Sequence, residues 1–343
     1  MLYYKIMAFI REIVLLVLDN IISGGGMFLI LFFLVFFIYV IARVFFFFAG
    51  SFLGEKSARQ NATTLLASGA ATFVILLCIF FVGGVVVKKL DSAPTKDEVI
   101  RVSNQLMEID RRVFGIYPPL WIHSRANFLK PAFDRASSLI ISSYTMLGIV
   151  IGFVWLSALM ADVAIFYRMA TAFFLSFILS IPFWYMIPAI SPFELYTENV
   201  LGVEPSHRVA SALETFDPNT ETRAVFDRLR HMNKSGENNS FGITTIPSMH
   251  IAWATVVVYF GIMLYSPAAF ILIPYYLFNA VGTVYLLQHY AVDIPAGMLI
   301  AGVAIAISSY ISKTAPRSIV AIHNVIREDI RTMKNFLQRF LPR

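Results

Sequence analysis

Long apolar blocks alternate with polar segments along most of this chain, and that alternation sets the first expectation. A helix needs about 20 consecutive apolar residues to cross a hydrocarbon layer of roughly 30 Å. Blocks of that kind occur at Met27 to Ala49, Thr64 to Val87, Ser138 to Met160, Val163 to Ala189, Ser248 to Tyr265, Ala268 to Gln288 and Tyr290 to Ser312. The pattern predicts an all-α, polytopic membrane helix bundle with about seven transmembrane helices between residues 26 and 312. Two polar interruptions, 88–137 and 190–247, exceed the length at which structureless connections are common, so short interfacial helices or a functional site are expected there.

The two ends read differently. In residues 1–25, Ile6, Phe9, Ile10, Ile13, Val14, Val17 and Ile21 share one helical side while Lys5, Glu12 and Asp19 lie on another, which predicts an amphipathic interfacial helix. Asp19 interrupts the short apolar run before any small-residue cleavage site, so this helix is expected to be retained rather than removed as a signal. Residues 313–343 place Ile319, Ile322, Ile326, Ile330, Met333, Leu337 and Leu341 on one stripe, with Arg327, Arg331, Lys334 and Arg339 elsewhere around the helix. Such a tail fits either an anionic surface or the protein's own spans.

Composition sharpens the class. Of 343 residues, 58% are hydrophobic and only 14% charged, which excludes an ordinary water-soluble enzyme. The single cysteine, Cys78, excludes an intrachain disulfide or a multi-cysteine zinc centre. A net charge of +6 points to anionic lipid as partner, and the chain carries no aromatic-plus-basic module for nucleic acid. Lys and Arg in the tail predict a cytoplasmic C-terminus, with the active site expected on the non-cytoplasmic face.

The chemistry concentrates at two span starts. His250 follows Ile246-Pro247-Ser248-Met249, and His289 precedes Asp293 by four residues. Successive spans running in opposite directions return these two points to the same side of the membrane. A carboxylate four residues from a histidine holds one ring nitrogen and raises the basicity of the other. Ionisable groups placed in hydrocarbon cost several kcal/mol, and such residues usually face a cavity or a partner. The trio therefore reads as an oriented nucleophile with a second imidazole, as mutual helix glue, or as a three-ligand metal site.

Pro247-Ser248-Met249-His250, and Gly282-Thr283 through His289 to Asp293, resemble the second and third motifs of the type 2 phosphatidic acid phosphatase superfamily. The surrounding residues, Ala252-Trp253-Ala254 after the first and Tyr285 with Tyr290 in the second, look most like its inositol phosphorylceramide synthase branch. Pro188-Ala189-Ile190-Ser191-Pro192 and Asp110 to Gly115 with Pro118 resemble further landmarks of that branch. The resemblance implies a six-helix core preceded by an extra N-terminal span. It also implies no metal and no cofactor, His289 as nucleophile, His250 as acid and base, and Asp293 as its brace.

Two departures bear on the reaction. The superfamily's KxxxxxxRP motif has no counterpart here, and Thr283 stands where its third motif has arginine. A phosphomonoester carries about 1.5 to 2 negative charges near pH 7, so fewer fixed cations suit a singly charged diester. That favours transfer of a phosphoryl head group, such as phosphoinositol, from a phospholipid donor to a lipid alcohol acceptor. Hydrolysis of a lipid phosphate or polyprenyl pyrophosphate is the alternative, and a non-catalytic carrier is a third reading. Candidate substrate-binding residues are Ser248, Thr283, Tyr285, Arg228, Arg230, Lys234, Asp110 and Arg112.

Overall fold

The computed structural model describes residues 94–234 and 245–312, with isolated positions at 320, 324, 327, 328 and 331. The expected N-terminal interfacial helix, the spans Met27 to Ala49 and Thr64 to Val87, and most of the basic tail lie outside the described residues. The chain divides into two units, one comprising Val86–Val154 with Arg168–Ser312, the other Met1–Val85, Trp155–Tyr167 and Lys313–Arg343. Every residue of the site described below belongs to the first.

Among the described residues the protein is all-helical, with no strands and one isolated bridge between Ser124 and Phe216. The polar segment after residue 88 carries α1 (Lys96–Phe114) and the short α2 (Pro118–Trp121). Thr95 caps α1, accepting the N–H of Glu98, and Gly115 ends it at φ 72°, a left-handed conformation that costs glycine nothing. Along α1, Val99, Val102, Ser103, Leu106, Met107 and Asp110 form one buried stripe at helical spacing. A carboxylate therefore ends a stripe that otherwise packs as core.

Next come α3 (Lys130–Thr145), α4 (Leu147–Ala161) and α5 (Val163–Met186). One uninterrupted span was expected over Ser138 to Met160, yet α3 and α4 meet at a 53° bend. The cause is local: Ser143 donates to the Ile140 carbonyl and Thr145 to the Ile141 carbonyl, side-chain bonds that compete with the helix ladder just before the break. A π-helical turn (Phe193–Thr197), α6 (His207–Glu214) and α7 (Thr220–Lys234) occupy the second polar interruption. After the second interruption come α8 (Met249–Leu264), α9 (Ala269–Tyr285) and α10 (Asp293–Ile311).

Three helical segments, Val163–Met186, Ser266–Tyr285 and Asp293–Ile311, are long and apolar enough to cross a membrane, and the bent α3–α4 pair makes a fourth. The protein is an integral membrane protein. Helix α8 has 16 residues, about 24 Å of helix, shorter than the hydrocarbon thickness. Its place is set by packing: a Cβ on Gly297 of α10 would lie 2.5 Å from the Ser248 carbonyl oxygen, so only glycine lets the starts of α8 and α10 approach this closely. Gly282 of α9 similarly admits the Ile140 carbonyl and Tyr144 of α3, each 3.0 Å from its would-be Cβ. The two glycines bring α3, α8, α9 and α10 together at one end.

Candidate active site

The site is built around the turn from α9 into α10. Helix α9 closes on itself: the Thr283 carbonyl accepts the N–H groups of both Gln288 and His289 at 3.1 Å. Leu287 takes a left-handed φ of 54° where glycine is the usual choice. That conformation costs a non-glycine residue on the order of 1 kcal/mol or more, and its carbonyl is held by the N–H of Phe193 at 2.9 Å. The strained residue sits two positions before His289.

His289 is buried, and both neighbours of its Nδ1 are acceptors: the Thr245 carbonyl at 2.9 Å and Asp293 Oδ2 at 3.3 Å. Nδ1 therefore carries the hydrogen and donates it, which leaves Nε2 with a free lone pair. The carbonyl, at the shorter distance, is the stronger acceptor, and the carboxylate shares the proton at the edge of hydrogen-bonding range. Burial pulls the ring well below its ordinary pKa, to about 4, against the carbonyl, which raises it. The imidazole is neutral at pH 7 and available as a nucleophile.

Asp293 is fully buried, and its Oδ2 also accepts the N–H of Tyr290 at 3.0 Å. His250, one residue into α8, is partly exposed and stacks on Tyr144 with ring centroids 4.2 Å apart and planes 8° from parallel. It faces His289 at a centroid separation of 6.2 Å and an interplanar angle of 60°. Ser248 caps α8, its hydroxyl oxygen accepting the Ile251 N–H, and its own N–H donates to the Asp293 carbonyl at 3.4 Å. The two motifs are thus tied to one another by their backbones.

The remaining candidates fall into two groups. Thr283 and Asp110 belong to the turn. The Thr283 hydroxyl donates to the Ala280 carbonyl, while the two Asp110 oxygens accept the N–H groups of Ala291 and Val292 at 2.8 and 2.9 Å. Burial lifts the Asp110 carboxyl to about 6, opposed by those two donors. Tyr285 lies beneath the turn, its hydroxyl taking the hydrogen of Thr222 at 2.9 Å. The cations have protein partners: Arg112 pairs with Glu108 at 3.4 Å, Arg228 donates to the Ala224 carbonyl of its own helix, and Arg230 binds Glu198 at 2.8 Å and Asp227 at 3.0 Å. The Lys234 side chain lies outside the described residues.

Three contributors were not anticipated. Thr245 acts through its backbone, which no sequence pattern reveals. Tyr144 sits in an apolar block and is distinguished only by facing Gly282. His123, outside the motif spacing, is buried, its Nε2–H donating to the Tyr285 carbonyl at 2.7 Å and its ring 4.4 Å from that of Tyr285. Burial lowers its pKa to about 4. Among the described residues no cluster of three or more His, Cys, Asp or Glu side chains is arranged to hold a metal ion.

Membrane helices that bring two imidazoles and a carboxylate to one boundary define an integral membrane enzyme. The chain belongs to the PAP2 superfamily, whose family model matches residues 104–307, more than half its length and the whole of the site. Its activity is accordingly of the lipid phosphatase or phosphotransferase type. No curated protein and no solved structure matches the chain.

Proposed function

We propose that the protein is a membrane lipid phosphotransferase of the inositol phosphorylceramide synthase kind. It moves a phosphoryl head group from a phospholipid donor to a lipid alcohol. His289 Nε2 attacks phosphorus in line, the bond to the donor's lipid oxygen breaks, and His250 protonates that oxygen as it leaves. The acceptor hydroxyl then loses its proton to His250 and attacks the phosphohistidine, returning the electron pair to Nε2. Asp293 and the Thr245 carbonyl hold the Nδ1 proton throughout. The observation that carries this reading is the facing pair His250 and His289 at 6.2 Å.

Transfer rather than hydrolysis is supported by the incomplete clamp: Thr283 replaces the motif's arginine, and Arg112, Arg228 and Arg230 already have protein partners. A singly charged diester demands less neutralisation than a monoester. With this reading go seven spans, a six-helix core behind an extra N-terminal one, a catalytic face on the non-cytoplasmic side and a cytoplasmic basic tail. The deciding experiment supplies purified protein with phosphatidylinositol labelled in its head group, plus ceramide, diacylglycerol or polyprenol. A new labelled phospholipid and an acid-labile phosphoenzyme are expected. Release of water-soluble phosphate alone, whatever acceptor is offered, makes the protein a phosphatase.

A further inference from the structure

The turn that presents His289 has an unusual accounting of backbone hydrogen bonds. Tyr290, Ala291 and Val292 are three successive residues ahead of α10, and the first N–H groups at the start of a helix have no partner within it. Buried N–H groups are almost always paired. Asp293 reaches back to satisfy Tyr290, which leaves the next two donors without a local acceptor. Asp110 takes both, one on each carboxylate oxygen, from a position 181 residues earlier in the chain. It is itself completely buried.

Asp110 is therefore committed in both directions. Its oxygens point at the backbone of the nucleophile's turn, not at an open space where a substrate would lie. The side chain stands at the end of the buried stripe of α1, whose Ser103 hydroxyl also accepts the N–H of Ile190. The same segment is gripped again from the turn, since the Tyr290 hydroxyl donates to the Ile190 carbonyl at 3.0 Å. Helix α1, outside the apolar spans, thus reaches the reacting region by a rigid, short path.

We infer that Asp110 is a positioning residue for the reaction: by binding the Ala291 and Val292 N–H groups it fixes the direction of the His289 ring relative to His250. This deepens the proposed function and rests on His289 being the nucleophile. It assigns Asp110 no contact with substrate. A small displacement of a reacting group is enough to slow chemistry by about 10²-fold. Loss of this clamp is expected to appear in turnover rather than in substrate affinity.

The test compares Asp110→Asn, Asp110→Ala and His289→Ala in the full-length, detergent-purified enzyme, using labelled phosphatidylinositol with ceramide and separately with water as acceptor. Asn can accept only one of the two N–H groups and turns a donor toward the other. Both Asp110 variants are expected to lower kcat, normalised to folded protein by size exclusion and tryptophan emission, by about 10- to 100-fold. KM should change less than about threefold, and phosphoenzyme formation should slow by the same factor as kcat for either acceptor. A raised KM with unchanged kcat would return Asp110 to the substrate, and an unchanged kcat per folded molecule would make it merely structural. Either result overturns the inference. Full activity of His289→Ala would instead remove the proposed function on which it stands.

Discussion

The turn around His289 and the basic helix α7 are both rich in polar groups, but the turn is held from distant segments while the arginines of α7 bond mostly to nearby ones. In the turn, partners arrive from far along the chain: Asp110 from α1, His123 from the loop after α2, Thr245 from the segment before α8. On α7, Arg228 bonds to its own helix, and Arg230 divides itself between Asp227 one turn away and Glu198. Long-range partners in a buried setting fix direction, because the groups have no water to fall back on. The exposed Arg230–Asp227 pair fixes little, exposed pairs in general being worth about 0 to 1 kcal/mol, whereas the bond of Arg230 to the largely buried Glu198 spans 32 residues. The reaction proposed above accordingly draws on the turn and not on the helix with the greater charge.

The sharpest way to break this contrast is at the proposed nucleophile. His289→Ala is expected to lower turnover by about 10⁴-fold or more and to abolish the phosphoenzyme, while Asp293→Asn, which preserves shape but removes the charge, should cost about 10²- to 10⁴-fold. Single-turnover kinetics with labelled donor check both. If Asp293→Asn behaves like wild type, the Thr245 carbonyl alone orients the ring.

A smaller effect is expected from Gly297→Ala. The added methyl has to displace the Ser248 carbonyl, pushing α8 from α10, and overpacking of this kind typically costs about 1 to 3 kcal/mol. Thermal unfolding in detergent should show the loss, accompanied by a fall in kcat as His250 moves from His289. Unfolding at wild-type temperature with wild-type kcat would mean that the close crossing does not set the distance between the rings.

His123 adds a pH-dependent term. Its pKa is depressed from 6.5 to about 4 in the folded protein, so the neutral ring's contribution is full above pH 6.5 and is lost as the pH falls toward 4. The shift corresponds to about 3 kcal/mol. Asp110, raised from 3.8 to about 6, acts with the opposite sign between those values, gaining stability as the pH falls. The His123 share is therefore read as the difference between wild type and His123→Gln in melting temperature from pH 7 to pH 4.5. Parallel curves would place His123 outside the network that holds the turn.

The least effect is expected from Arg228→Ala, within about 0.5 kcal/mol in stability and with KM essentially unchanged. A tenfold rise in KM would put Arg228 on the phosphate and reverse the comparison between helix and turn.

How much of this was legible beforehand differs by element. Helices α5, α9 and α10 were visible as apolar blocks because crossing a membrane imposes a length that composition alone reveals. The bend between α3 and α4 was not, since Ser and Thr bonding back to carbonyls is a choice the backbone makes locally. His250, His289 and Asp293 stood out as ionisable groups at span starts. Asp110 stood out too, as a candidate for substrate, because a sequence shows that a carboxylate lies on a buried stripe and not which donors it meets.

The amino-acid sequence alone determined the membrane class, the helical architecture and the trio of candidate side chains, because hydrophobic length and residue chemistry are properties of short stretches. Only the tertiary structure decided which His289 nitrogen is free, that His250 stacks on Tyr144, that Asp110 and His123 hold the turn, and that Arg228 and Arg230 already have partners. Each of those is a direction or a pairing between segments distant along the chain. Such pairings follow from how the helices close on Gly282 and Gly297, where the absence of two side chains permits the approach.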